Sequence, residues 1–375
     1  MKLLWVFPSF EIGGSQRRFA TLANGFEADQ QATGFQHNIV SLSGAHGAMA
    51  LLAPSVHASQ IDVSPAKSRG VSLANINLFA KVIDDARPDI LLTANWGSIE
   101  WHLANCGNRA CAHIHFEDGF GADESIHARQ ASRDIARRII FALTKNARRT
   151  AFVAPSRELA NVFTTGWGVP ADAVHFVQNG VDMNAFPVSA PASREFVTVG
   201  SVGALRQEKR IDRLIRIFAA LENKNTRLLI VGDGPERESL EKLTSELGVA
   251  RRVTFAGTQT DVASYYAQMD IFALTSDTEQ MPISLIEAMA TGLPVVSTQV
   301  GDVPAMLGEQ SARFILPLSD EAGLADALSQ LVGDIGKRER LGRENANVAR
   351  AQFSQSEMLD TYRSLFQGIA SRDRA

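Results

Sequence analysis

Short apolar runs alternate with longer amphipathic stretches through the first half of the chain. The runs at 3–7, 38–42, 90–93, 112–116 and 152–154 have strand length, and helix-length segments separate them. That rhythm predicts a parallel sheet with helices on both faces. It resumes after residue 195, with runs at 196–199, 228–231, 253–255, 271–274 and 295–297, so the architecture repeats although the sequence does not. Residues 186–193 carry Pro187 and Pro191 among small residues and have the most linker-like composition in the chain. The expected class is α/β, with two doubly wound parallel-sheet domains at 1–188 and 189–350. The stretch 337–369 is helical in pattern and no strand follows it, which predicts that a last helix, at 351–375, crosses back onto the first domain.

Composition narrows the picture. A chain of 375 residues exceeds what one core usually supports and suits two domains with a cleft between them. With 45% hydrophobic and 21% charged residues it reads as globular, and no stretch is low in complexity. A net charge of −4 argues against nucleic acid as a partner. Residues 1–7 hold one lysine and an apolar run ended by Pro8, too short for a signal segment or a membrane span. The two cysteines, Cys106 and Cys111, make neither a disulfide framework nor a zinc site, so the expected compartment is the cytoplasm.

The richest window for chemistry is 271–293. An apolar strand runs into Thr275, Ser276, Asp277, Thr278 and Glu279, then Gln280, Met281 and Pro282, and then a helix that contains Glu287. Proline suits a first helical turn, leaving Ile283, Ser284 and Leu285 to offer free N–H groups at a positive helix end. Such an end receives anions. With phosphates there, Glu279 and Glu287 are placed to accept hydrogen bonds from the hydroxyls of a sugar and a ribose. An isolated acidic pair is equally well explained as a solvated loop charge and an ordinary helix carboxylate. The company it keeps favours a ligand: Gly203, Ala204, Leu205, Arg206, Gln207, Glu208 and Lys209 follow the first strand of the second half. Two cations at a strand's carboxyl end stand where α/β sheets bind ligands, and they can neutralise a diphosphate without a metal or any cofactor. Gly13 and Gly14 after the first strand fit either close approach of a ligand, with Ser15 capping the next helix, or a plain turn. Gly232 and Gly234 form half of a dinucleotide fingerprint whose third glycine position is Arg237, which is weak support for NAD.

Gly13-Gly14, Asn179-Gly180-Val181-Asp182, the Lys209 segment, Val231-Gly232-Asp233-Gly234-Pro235 and the Glu279 to Glu287 spacing occur in that order. The set resembles the retaining GT-B glycosyltransferases of the large family that includes glycogen synthase and bacterial mannosyltransferases, known as family 4-like or group 1. The resemblance spans nearly the whole chain and is strongest over 197–301. It implies a GT-B fold and a hexosyl transfer from a nucleotide-diphosphate sugar to a glycan or lipid-linked acceptor, in bacterial cell-surface polysaccharide or glycolipid synthesis. It implies that Glu279 contacts the donor sugar, Glu287 the ribose and Lys209 the diphosphate. Gly13, Gly14, Gly203, Gly232, Gly234, Met281, Pro282, Ile283 and Ser284 then line the donor. It also implies front-face transfer without a protein nucleophile or a tightly held metal.

Two departures stand out. The family often has arginine directly after the glycine at 203, where this chain has Ala204, with Arg206 two positions on. The family also places a histidine near the donor sugar, and here 112–119 reads Ala-His-Ile-His-Phe-Glu-Asp-Gly. His115 is favoured for that catalytic place because it lies nearer the strand end than His113, although Glu117 or Asp118 fits the same place and a hydrogen-bonded core histidine fits as well. Residues 129–149 gather Arg129, Arg133, Arg137, Arg138, Lys145, Arg148 and Arg149 around apolar positions. This basic amphipathic helix suits either a solvated face or peripheral contact with the inner face of a membrane. Two rival functions remain open, a nucleotide-sugar epimerase and a non-catalytic nucleotide-sugar-binding protein. The loops at 257–261 and 119–124 carry no readable code for donor or acceptor.

Overall fold

The computed structural model describes residues 1–28, 34–66, 71–106, 111–119, 127–144, 150–188 and 195–371. The chain divides into two compact units, one made of Met1–Gln178 with Glu357–Ala375 and the other of Asn179–Ser356. The division falls at the Asn179-Gly180 motif. Of the proline-bearing segment read as a linker, 189–193 lie outside the described residues, and Phe186 is buried in the second unit's core.

The first unit runs β1 (Lys2–Phe7), α1 (Gly14–Ala28), β2 (Gln36–Ser41), β3 (Ala58–Gln60), α2 (Leu73–Ala86), β4 (Ile90–Ala94), α3 (Glu100–Ala104), β5 (Ala112–Phe116), α4 (His127–Thr144), β6 (Thr150–Ala154), α5 (Arg157–Asn161) and β7 (Val174–Phe176). The strands are parallel in the order β3-β2-β1-β4-β5-β6-β7. Alternation along β1 assigns the two faces: Leu3, Trp5 and Phe7 join one cluster, and Leu4 and Val6 join the other. The second unit runs β8 (Val197–Val202), α6 (Ile211–Ala220), β9 (Thr226–Val231), α7 (Arg237–Glu246), β10 (Val253–Phe255), α8 (Ala263–Tyr266), β11 (Ile271–Leu274), α9 (Ile283–Ala290), β12 (Val295–Thr298), α10 (Val303–Met306), β13 (Ile315–Leu316), α11 (Glu321–Gly333) and α12 (Ile335–Gln352). Its sheet is parallel in the order β10-β9-β8-β11-β12-β13.

The expected returning helix is α13 (Gln355–Ser371). Met358, Tyr362, Phe366 and Ile369 form its apolar stripe and enter the same cluster as Leu3, Trp5 and Phe26. Each fully buried side chain of this size contributes roughly 1.5–3 kcal/mol relative to exposure. Among the described residues no helix is long and apolar enough to cross a membrane.

Candidate functional site

In the second unit the strand order reverses between β8 and β11, which pair directly through Ile271 and Val199. Loops leaving the carboxyl ends of two strands diverge at such a switch point and leave room for a ligand. The loop after β8 carries Gly203, Arg206 and Lys209, and the loop after β11 carries Glu279, Met281 and Pro282.

Lys209 and Glu279, 70 positions apart, meet there: Lys209 Nζ donates to Glu279 Oε1 at 2.7 Å. Ser276 Oγ donates to the same oxygen at 2.8 Å, and Thr298 Oγ1 donates to the Ser276 carbonyl at 2.6 Å. Arg206 lies exposed at the head of the single 3-10 turn Gln207–Lys209, and its guanidinium pairs with no carboxylate among the described residues. The Glu279 backbone is itself pinned. Gly301 turns at a φ of 48°, and a Cβ there would come within 2.2 Å of the Glu279 carbonyl oxygen, so only glycine lets the loop after β12 back onto it. Asp302 N–H donates to the Gln280 carbonyl at 3.0 Å.

The helix beside the pair begins one residue later than the proline pattern implied. Pro282 is the cap, with extended backbone, and α9 starts at Ile283. Leu285 N–H, expected to be free, donates to the Pro282 carbonyl at 3.1 Å, which leaves Ile283 and Ser284 as the amides without a protein acceptor among the described residues. Asn179 fixes the approach to this helix by donating from Nδ2 to the Met281 carbonyl at 2.8 Å. Further along α9, Glu287 is buried, and the Tyr266 hydroxyl reaches its Oε2 at 2.8 Å and the Ser284 carbonyl at 3.0 Å.

Gly232 and Gly234 act on the protein itself. Gly232 has a φ of 137°, and a Cβ on it would fall 1.9 Å from the Gly203 carbonyl oxygen; one on Gly234 would fall 2.5 Å from that of Leu205. These glycines let the loop after β9 pack against the loop after β8, whose Gly203 N–H donates to the Val231 carbonyl at 3.0 Å. In the first unit, Gly13 and Gly14 follow β1, and α1 starts at Gly14. Ser15 therefore lies inside the helix instead of capping it, and its hydroxyl faces Gln16 Oε1 at 3.5 Å.

His115 has no exposed surface. His113 Nε2 and His115 Nδ1 each lie 2.8 Å from the Thr93 hydroxyl, and the His102 ring stands 4.1 Å from His113 and 4.7 Å from His115. Burial, reinforced by the neighbouring Arg137 charge, lowers His115 to about 3, and burial holds His102 and His113 well below the usual range. All three rings are therefore neutral at pH 7. Glu117 is buried beside them, 3.2 Å from Arg137 and 3.7 Å from His115 Nε2, and burial raises its carboxyl to about 7. Asp118 instead pairs with Arg18.

Arg137, read as part of a charged helix face, is fully buried, with Trp167 4.6 Å and Trp96 5.2 Å from its guanidinium. The exposed side of α4 carries Ile135, Ile139 and Leu143, at 60%, 56% and 67% exposure. Lys145, Arg148 and Arg149 lie outside the described residues, as do 120–124 of the loop at 119–124.

Sequence reasoning gave no role to Tyr266, Ser276 or Gly301, nor to the arginines around Asp277. Asp277 stands in the window richest in chemistry, but nothing in the sequence marks Arg210 or Arg213 as its partners.

Two family descriptions match the chain: Glycosyltransferase Family 4 over residues 12–185 and Glycosyl transferases group 1 over residues 185–348. Among curated proteins, the lipopolysaccharide core biosynthesis glycosyltransferase LpsD of Rhizobium meliloti is 36% identical over 178 residues, 47% of this chain and 51% of that protein. The N-acetyl-alpha-D-glucosaminyl L-malate synthase of Bacillus anthracis is 29% identical over 174 residues, 46% of each. The chain thus spans about half the length of the curated relatives it matches. Among solved structures, Anabaena HepE in complex with UDP-glucose aligns at a TM-score of 0.81 and 18% identity, over 98% of this chain and all of that one. Two units, each a parallel doubly wound sheet, and two adjoining family matches lead to one assignment: the chain belongs to the group 1 and family 4 glycosyltransferases and has their GT-B fold.

Proposed function

We propose that the protein transfers a hexosyl group, with retention of anomeric configuration, from a nucleotide-diphosphate sugar to a glycan or lipid-linked acceptor in cell-surface polysaccharide or glycolipid synthesis. The observation that carries this reading is the Lys209–Glu279 pair at the β8/β11 switch point, beside the amides of Ile283 and Ser284. In this reading Lys209, Arg206 and the helix end hold the diphosphate, Glu279 accepts from the sugar hydroxyls, and Glu287 accepts from the ribose. Negative charge that develops on the leaving diphosphate is then met where it forms, which usually lowers the barrier more than any other single effect. The departing phosphate oxygen takes the acceptor proton on the face that it leaves, so the bond to the acceptor forms without a protein nucleophile. The cations and helix end do the work that a metal does elsewhere, and no cofactor enters. HepE, with UDP-glucose bound, and LpsD, named for lipopolysaccharide core biosynthesis, support the donor and acceptor classes by likeness.

Peripheral contact with an anionic bilayer belongs to the same proposal. Ile135, Ile139 and Leu143 on α4 present an apolar stripe in a basic stretch. Pelleting with anionic vesicles at low salt tests it, and protein left in the supernatant removes the contact.

The transfer reading is tested by thermal stabilisation and slow donor hydrolysis across UDP-, GDP- and ADP-sugars, with Glu279→Ala and Lys209→Ala in parallel. Stabilisation and hydrolysis by one donor, lost in both variants, supports it. Stabilisation without hydrolysis leaves a non-catalytic nucleotide-sugar binder, and silence toward every donor rejects both.

A further inference from the structure

Lys209 and Glu279 sit on separate loops, so their spacing depends on what ties the loops together. The chain turns between the 3-10 turn and α6 at Arg210, whose φ of 49° is a left-handed conformation that costs a non-glycine residue on the order of 1 kcal/mol. The surroundings hold that turn. Thr275 Oγ1 donates to the Arg210 carbonyl at 3.0 Å, and Asp277 N–H donates to the Glu208 carbonyl at 2.8 Å. Arg210 donates from one terminal nitrogen to both Asp277 oxygens, at 3.3 and 3.1 Å, and from Nε to Asp212 at 3.0 Å.

Arg213, four residues past Lys209 and 4% exposed, completes the link. It donates to the Thr275 carbonyl at 2.8 Å, to Asp277 Oδ1 at 2.9 Å and to Glu321 Oε1 at 3.1 Å. A planar guanidinium can serve three acceptors in fixed directions, which a lysine ammonium on a flexible stem cannot. Bonds between charged partners are also stronger than neutral ones. The desolvated side chain thus joins the first turn of α6, the loop after β11 and the start of α11.

We propose that Arg213 and Asp277 are positioning residues for donor binding. Neither touches the donor; together they lock the loop of Lys209 to the loop of Glu279, so that the diphosphate cation and the sugar carboxylate are presented at one spacing. This rests on the donor site proposed above. Loosening the lock adds an ordering cost to every event that engages both loops. A nucleoside monophosphate, held at Glu287 and the helix end, does not need both.

The test is titration calorimetry on the full chain with UDP-glucose, UDP-N-acetylglucosamine, GDP-mannose and ADP-glucose, and with UMP, GMP and AMP. Wild type, Asp277→Asn and Arg213→Lys are compared. Asp277→Asn keeps the size of the side chain, and Arg213→Lys keeps the charge, so either serves if the other fails to fold. We expect the nucleotide sugar that wild type prefers to bind roughly 3- to 10-fold more weakly to the variants, with the matching monophosphate unchanged. Equal weakening of both ligands would mean general loosening and overturns the proposal, as does no weakening of either. If wild type itself binds none of the four sugars, the donor site falls and the lock falls with it.

Discussion

The Tyr266 hydroxyl and the Glu287 carboxylate are 2.8 Å apart, both buried, on consecutive helices joined through β11. The phenol therefore fixes which way Glu287 presents its oxygens. Tyr266→Phe removes that bond at a cost of about 1 kcal/mol of stability. It is also expected to weaken the preference for a ribonucleotide over its 2′-deoxy counterpart, read as the ratio of dissociation constants for UDP and dUDP, or for the GDP pair if guanosine is the base. An unchanged ratio would detach Glu287 from the ribose.

Removing Glu279 deletes a hydroxyl acceptor and strips Lys209 of the carboxylate it now donates to. Glu279→Ala is expected to lower donor hydrolysis by about 100-fold or more, well beyond the drop of a few degrees in melting temperature that loss of its bonds from Lys209 and Ser276 costs. Glu279→Gln keeps the size of the side chain and should recover little of the rate. Full rate in the glutamine variant would show that the charge is dispensable.

The glycines separate structural from ligand roles. Gly232→Ala combines a φ of 137° with a Cβ 1.9 Å from the Gly203 oxygen, so a loss of about 3 kcal/mol or more is expected in a urea titration. Nothing lies within 4 Å of a Cβ on Gly14, which opens α1. Gly14→Ala should therefore be neutral or stabilising by about 0.5–1 kcal/mol. Loss of donor hydrolysis in a stable Gly14→Ala protein would mean that a ligand passes close to that backbone.

Buried imidazoles make the first unit sensitive to acid. His115, held at about 3 against 6.5 in the unfolded chain, stays neutral in the fold while the unfolded state takes up protons. Stability therefore falls as pH drops from about 6.5 toward 3, and His102 and His113 act in the same direction. Glu117 works the other way. Its carboxyl at about 7, against 4.5 unfolded, makes stability fall as pH rises through that window. With three imidazoles against one carboxyl, and Arg137, Asp134 and Asp118 beside them, the acid side should dominate below pH 6.5. Both ring nitrogens of His102 lack a hydrogen-bond partner among the described residues. His102→Leu should accordingly raise the urea midpoint at pH 5 more than at pH 8; equal shifts would place the acid sensitivity elsewhere.

The long central strands were legible because their neighbours cover both faces and leave continuous apolar runs, as in Leu3 to Phe7. Three edge strands escaped notice: Ala58–Gln60, Val174–Phe176 and Ile315–Leu316 have two or three residues and no period to read. At the site, the Glu279 to Glu287 spacing and Lys209 could be picked out because the apolar runs mark the strand ends that they follow. Arg213 did not, since an arginine on an amphipathic helix looks solvated until the tertiary fold supplies Thr275, Asp277 and Glu321 as acceptors. The burial of Arg137 was hidden for the same reason: Trp96 and Trp167, which flank it, come from distant parts of the sequence.

Because α13 supplies Met358, Tyr362, Phe366 and Ile369 to a core that starts at Leu3, the order of synthesis and the order of completion are reversed. On a ribosome adding roughly 5–20 residues per second, the stretch from Asn179 to Ser356 delays that helix by roughly 10–35 s. The second unit is encoded without interruption and can close during the wait, while the first sheet holds one apolar face open. A nascent chain thus completes its first unit only after its second.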